Sequence, residues 1–96
     1  MSTPTLSQSV TIGEDVVFRE LDGEAVILNM DSGIYFGLDA VGTRIWRLIE
    51  EHASLQKILE VMREEFDTTP GVLQRDLLAF VGQMLDKGLV RIAPAP

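Results

Sequence analysis

Val16-Val-Phe-Arg-Glu-Leu-Asp-Gly-Glu-Ala-Val-Ile-Leu-Asn-Met30 places two β-rich runs on either side of Asp22-Gly23. An Asp-Gly pair between such runs marks a hairpin, because a type I′ turn needs positive φ at both central residues. Working outward, Asp31-Ser32-Gly33 forms a second turn, and Ile34-Tyr-Phe-Gly-Leu38 reads as a third strand. Together these runs make an antiparallel meander. Side chains alternate at period two along a strand, so Val16, Phe18, Val26, Leu28, Met30, Phe36 and Leu38 are expected to share one buried face.

Beyond the meander the pattern turns helical. Asp39 is placed to cap a helix from Ala40 to Glu51, with Val41, Ile45, Leu48 and Ile49 at helical spacing and Trp46 beside them. Ser54 caps a second helix whose inner stripe is Leu55, Ile58, Leu59, Met62 and Phe66. Thr69-Pro70 opens a third, with proline at the first helical position, and Gly88 is its left-handed stop. Leu89-Val-Arg-Ile92 then reads as a short strand. Strands followed by helices indicate an α+β domain. The expected architecture is a three-stranded antiparallel sheet followed by a three-helix winged helix-turn-helix, with the folded part spanning residues 12–92. Residues 1–11 and 93–96 show no sustained periodicity and are expected to be tails.

Composition narrows the function classes. The 96 residues suffice for one modest core, and the 46% apolar content suits a globular chain. Without cysteine there are neither disulfides nor thiolate metal sites, as in a reducing compartment. Residues 1–9 lack the basic start and apolar run of a signal peptide, and no apolar stretch is long enough to span a bilayer. The expected location is the cytoplasm. The net charge of −7, from 15 acidic and 8 basic residues, disfavours nucleic acid and anionic membranes as partners.

Catalytic and metal chemistry find no footing. The one histidine, His52, lies among Glu50, Glu51 and Ala53 without a nucleophile or orienting partner, and reads as a solvated surface residue. Glu50, Glu51 and His52 are consecutive, so on a helix they point in three directions and cannot share a metal. Glu64, Glu65 and Asp67 read as a solvated face. No Gly-Lys-Ser/Thr completes a phosphate loop around Gly33, Gly37 and Gly42. The expectation is a protein that is not an enzyme and has neither cofactor nor metal.

Two features exceed what a minimal core needs. The third strand lies at an edge of the meander and is apolar and aromatic, with no Lys, Glu or Pro to block further pairing. Either the protein covers this edge itself, or a foreign peptide adds to it as an extra strand. The third helix carries Leu77, Leu78, Phe80, Val81, Met84 and Leu85 over a wide arc, which suits either a fully packed helix or one flanking a groove. An open edge beside such a helix would join backbone hydrogen bonding to side-chain pockets.

Gly23 to Leu38, Asp39-Ala-Val-Gly-Thr-Arg-Ile-Trp46 and Asp76-Leu-Leu-Ala-Phe-Val-Gly-Gln-Met-Leu-Asp-Lys-Gly-Leu89 together resemble the PqqD-like family, the leader-peptide recognition elements of ribosomally made, modified peptides. The likeness extends over about residues 14–92. It implies that a leader peptide binds as an added strand beside Ile34, Tyr35 and Phe36, in the cleft against the third helix. On that helix it makes Asp76, Leu77, Phe80, Val81 and Met84 the candidate contacts. A free-standing domain of this length is similar to the recognition proteins of lasso peptide clusters, which bind leaders with aromatic and proline anchors. Those proteins work with a separate leader protease and a cyclase. The alternative within the family is the chaperone of pyrroloquinoline quinone biosynthesis, which delivers its precursor to a radical SAM enzyme.

Rival classes make different demands. A DNA-binding winged helix needs a basic recognition helix, whereas Arg75 and Lys87 here are cancelled by Asp76 and Asp86. A dimerisation module would use the same apolar edge.

Overall fold

The structure is a computed structural model and describes residues 4–94, leaving out the side chains of Pro70 and Pro94. The elements run β1 (Gln8–Ile12), β2 (Val16–Leu21), β3 (Glu24–Asn29), β4 (Tyr35–Leu38), α1 (Ala40–His52), α2 (Leu55–Glu65), α3 (Pro70–Asp86) and β5 (Val90–Pro94). They form an α+β fold with two antiparallel sheets, one of order β2-β3-β4 and a separate ribbon of β1 and β5.

The Asp22-Gly23 turn has the expected form, with φ of 54° and 81°. Its two-residue length puts Leu21 opposite Glu24 and Phe18 opposite Ile27, and the next pairing puts Ile27 opposite Phe36. Residues directly opposite share a face, so this register corrects the expected inward set. Ala25, Ile27 and Asn29 turn inward with Phe18, Phe36 and Leu38, and Ile27 is fully buried. Val26 and Met30, expected inside, are 46% and 64% exposed. Leu28 falls on the same outer face. Pairing across the turn links an even position on β2 to an odd one on β3, and this parity moved the whole β3 set by one residue.

The second correction concerns the termini. Residues 8–11, expected to be part of a tail, join Ile12 to form β1, which pairs with β5 from Gln8 opposite Pro94 to Ile12 opposite Val90. Val10 is fully buried, and its N–H donates to the Ala53 carbonyl at 2.8 Å. At the other end, β5 continues through Ala93 to Pro94. Residues 1–3 and 95–96 of the expected tails lie outside the described residues. The ribbon was hard to see because its partner strands stand at opposite ends of the sequence. Neither is long enough to show a period alone.

The helices begin where their caps place them. The Asp39 carboxylate accepts from the Gly42 N–H at 2.8 Å, and the Ser54 hydroxyl accepts from the Lys57 N–H at 3.3 Å. Thr69 stands at the N-cap of α3 without a side-chain capping bond, while Pro70 fits its first turn. Phe66 caps α2 from just outside it and still packs on the core. Gly88 adopts φ of 71° and ends α3 as expected.

The core lies between the inner face of the larger sheet and the three helices. Trp46, Leu48, Leu55, Ile58, Leu77, Val81 and Met84 are fully buried there. Phe18 stacks on Trp46 at 6.2 Å between centroids and 11° between planes, tying β2 to α1. Each such large apolar side chain contributes roughly 1.5–3 kcal/mol on burial. Asn29 is the main polar tie. Its Oδ1 accepts from the N–H groups of Asp31 and Ser32 at 2.9 and 3.3 Å, shaping the turn before β4. Its Nδ2 donates to the Gly88 carbonyl at 3.2 Å, holding that turn to the end of α3. One buried side chain thus sets β4 relative to α3.

Candidate peptide-binding site

Among the described residues, β4 is an edge strand, with β3 on one side and no strand on the other. The phase of its hydrogen bonds follows from one contact. The Asn29 N–H donates to the Ile34 carbonyl at 2.9 Å, and residues of an antiparallel strand alternate between facing the partner and facing away. The Ile34 carbonyl and the backbone groups of Phe36 and Leu38 therefore turn toward β3, while the Ile34 N–H donates to Ser32 Oγ at 3.3 Å. Tyr35 and Gly37 turn theirs outward, giving two N–H donors and two carbonyl acceptors along about 7 Å of edge. Among the described residues, no other backbone or side-chain hydrogen bond reaches these groups.

Beside this edge runs an open groove of about 380 Å³ between β4, the start of α1 and α3. Buried Leu38 and Ile45 contribute to its base, and Phe36, Val41 and Phe80 supply apolar surface. Asp76, Ala79 and Gln83 are its exposed residues on α3. Gly42 matters by having no side chain. A Cβ there would stand 3.3 Å from Phe80 Cε1, from Leu38 Cδ2 and from Asp39 Oδ1. The aromatic ring of Phe80 can therefore lie close against the first turn of α1. At the far end of α3, Lys87 Nζ sits 5.0 Å from the centroid of the Phe36 ring. The groove lining carries the carboxylates of Asp39 and Asp76 and no basic residue, and the Asp39 carboxylate is engaged in capping α1.

The expected site residues divide into three groups. Phe36, Asp76 and Phe80 come together in the groove. Ile34 and Tyr35 lie along the edge, 50% and 72% exposed, with Tyr35 projecting onto the face away from α3. Leu77, Val81 and Met84 do not reach the groove. They are fully buried, and packing against the core claims the side of α3 on which they lie. The groove uses the neighbouring stripe Asp76, Ala79, Phe80 and Gln83, spaced i, i+3, i+4, i+7. Ala79, Gln83 and the contribution of α1 were not anticipated. The stripe's spacing was visible in the sequence, but its mixed polarity gave no reason to single it out.

Other chemistry is sparse. His52 is partly buried, with Nε2 3.6 Å from Glu51. No three His, Cys, Asp or Glu side chains converge to hold a metal among the described residues, and no described helix is long and apolar enough to cross a membrane. The shifted ionisations lie away from the groove. The Arg44 guanidinium, bonded to Glu65 at 2.6 and 2.7 Å, holds that carboxyl below the usual carboxylate range.

A small α+β domain that sets an unpaired strand edge beside an apolar helix wall has the architecture of a peptide-recognition domain. The chain belongs to the PqqD family: residues 24–90 match the family of coenzyme PQQ synthesis protein D. That span runs from β3 into the first residue of β5 and holds both sides of the groove. Among solved structures, the chain is similar to TbiB1 in complex with the TbiA(beta) leader peptide. The TM-score is 0.79 at 38% identity, over 83% of this chain and 93% of that one. It also shares the fold of a lasso peptide synthetase B1 complexed with its leader peptide, with a TM-score of 0.78 at 18% identity, over 86% of this chain and 98% of that one. Curated protein sequences give no match.

Proposed function

We propose that the chain binds the leader region of a ribosomally synthesised precursor peptide by strand addition to β4, and delivers that peptide to the leader protease and cyclase of lasso peptide biosynthesis. The observation that carries this reading is the outward-facing backbone of Tyr35 and Gly37 beside the Phe80 groove. Backbone bonds to that edge give affinity without regard to sequence, and the groove selects side chains. The likeness to TbiB1 supports leader binding, since that relative is seen in complex with a leader peptide. Tyr35, Phe36, Asp76 and Phe80 act at the site, while Leu77, Val81 and Met84 hold the wall in place from within. The protein works in the cytoplasm by binding, without catalysis or cofactor. The three helices and the β1–β5 ribbon serve as a winged helix-turn-helix frame that presents a peptide edge.

The family match supports a second reading, delivery of a precursor to a radical SAM enzyme as in quinone cofactor synthesis. Both readings share the binding step and differ in the enzyme that receives the peptide.

Hydrogen exchange with and without the TbiA(beta) leader peptide tests the binding step. The amides of Tyr35 and Gly37 should exchange fast in the free protein and become protected with the peptide, while Phe36 and Leu38 are protected throughout. A peptide that does not bind, or that leaves Tyr35 and Gly37 unprotected, refutes the reading. Co-purification with the protease or with the radical SAM enzyme separates the two pathways.

A further inference from the structure

The two faces of β4 differ. Phe36 turns toward α3, whereas Gly37 belongs to the outer face of the sheet and presents no side chain there. Its cross-strand neighbours form a row, with Arg19 opposite Val26 and Val26 opposite Gly37. A Cβ on Gly37 would meet nothing within 4 Å, and its φ is not in the left-handed region. The backbone therefore makes no demand for glycine at this position, and the side chain is missing where space is free. A second hollow of about 620 Å³ opens over it, bounded by Leu21 and Val26 with Arg19 and Glu24 at its rim. Its apolar residues are uncovered, Leu21 being 77% and Val26 46% exposed.

A strand added to β4 extends this row by one position. Its residue beside Gly37 projects onto the outer face, because paired residues share a face. A large apolar side chain there leans over the vacant glycine, as aromatic residues do beside strand glycines, and reaches Val26 in the next strand. This surface is continuous with the peptide edge, since Gly37, Leu38 and Asp39 border both hollows.

We propose that the outer hollow is a second side-chain subsite, so that the bound peptide is read on both faces of its strand. Alternate residues enter the Phe80 groove, and the residue beside Gly37 carries an aromatic or long aliphatic side chain that covers Gly37 and Val26. The proposal rests on strand addition at β4 and adds a selectivity that the groove alone does not supply.

The test is titration of the TbiA(beta) leader peptide and its single alanine variants against the wild-type chain, Gly37→Val and Val26→Asp. Thermal melts and protection of the Phe36 amide establish that both variants fold. Valine fits a strand and meets no neighbour at its Cβ, so the loss of the vacant space is the main change. Both variants should bind the leader at least tenfold more weakly. One outward-facing leader residue should lose tenfold or more on alanine substitution against wild type, and little against Gly37→Val. Equal or tighter binding by Gly37→Val, or the absence of any leader residue coupled to it, overturns the subsite. A leader that binds wild type and protects Tyr35 but ignores both substitutions removes this subsite alone. A leader that fails to bind wild type removes the strand-addition reading along with it.

Discussion

Tyr35→Pro and Phe36→Pro should have opposite consequences although the residues are adjacent. The phase of β4 turns the Tyr35 N–H outward and the Phe36 N–H toward Ile27. Proline at position 35 therefore leaves every bond between β3 and β4 intact, and edge positions with outward amides are where sheets tolerate proline. It removes one donor from the incoming peptide and leaves the peptide carbonyl opposite without a partner. A lost net hydrogen bond is worth about 0.5–1.5 kcal/mol and an unpaired acceptor in a closed interface about 1–3 kcal/mol. Together these give about 1.5–4.5 kcal/mol, or roughly a 12- to 1,600-fold rise in Kd.

Proline at position 36 strikes the protein instead. It removes a ladder bond to Ile27, which is fully buried, and takes away an aromatic ring that packs on the core and carries Lys87 on its face. Titration calorimetry with the TbiA(beta) leader and urea unfolding separate the outcomes, with Tyr35→Ala reporting the side chain alone. Tyr35→Pro should lose affinity and keep its unfolding midpoint, whereas Phe36→Pro should lose stability first. Full affinity in a folded Tyr35→Pro would refute β4 as the docking edge.

Phe80→Asp should weaken leader binding by tenfold or more with a smaller effect on melting, because the ring is half-buried at the groove; equal losses in titration and thermal melts would return Phe80 to the core. Asn29→Ala should cost roughly 2–4 kcal/mol in urea unfolding, since three hydrogen bonds are lost and the Gly88 carbonyl is left without its partner. Thr43→Val should stabilise the fold by up to about 1 kcal/mol, because the buried Thr43 hydroxyl has no hydrogen-bond partner among the described residues and valine has the same shape. Glu65→Gln should reduce stability at neutral pH by no more than about 1 kcal/mol, as the pair with Arg44 is exposed to solvent. Its carboxyl is held below the usual range, so its contribution is complete above the unfolded-state pKa and is lost as pH falls through the folded-state value. Melts across pH should show the two proteins converging in acid.

Much of the fold was legible because the signals were local. Asp22-Gly23 required a tight hairpin, Asp39 and Ser54 marked helix starts, and Gly88 marked a stop, and each acts within a few residues. What escaped depended on distant partners. β1 has meaning only against β5, which follows it by some 80 residues in the chain. The face of β3 depended on turn parity and not on hydrophobicity, for Ala25-Val-Ile-Leu28 is apolar at every position. The candidate site was legible in outline for the same reason. Strand and helix were assigned from pattern, but apolarity alone could not tell the side of α3 that builds the core from the side that borders the groove.

The openness of β4 is best judged against the other edge of the same sheet. The Met30 N–H donates to the Asp15 carbonyl at 2.7 Å, so on β2 the residues Val16, Phe18 and Glu20 turn their backbone groups away from β3, with the Val16 N–H taken by the Gly13 carbonyl at 3.3 Å. That edge is attended by charge. The Arg47 guanidinium lies 4.6 Å from the centroid of Phe18 and pairs with Glu20 at 3.0 Å, and Arg19 stands next in sequence. Charged side chains along an edge are a common device against unwanted pairing. β4 consists of Tyr35, Phe36, Gly37 and Leu38 and carries no charge of its own. Both strands have vacant backbone groups, so vacancy alone does not mark a binding edge. Lys87 stands over Phe36 much as Arg47 stands over Phe18, so what distinguishes β4 is a strand with no charged residue of its own combined with a side-chain groove along one face. Under strand addition at β4 this asymmetry would direct a foreign strand to one side of the sheet.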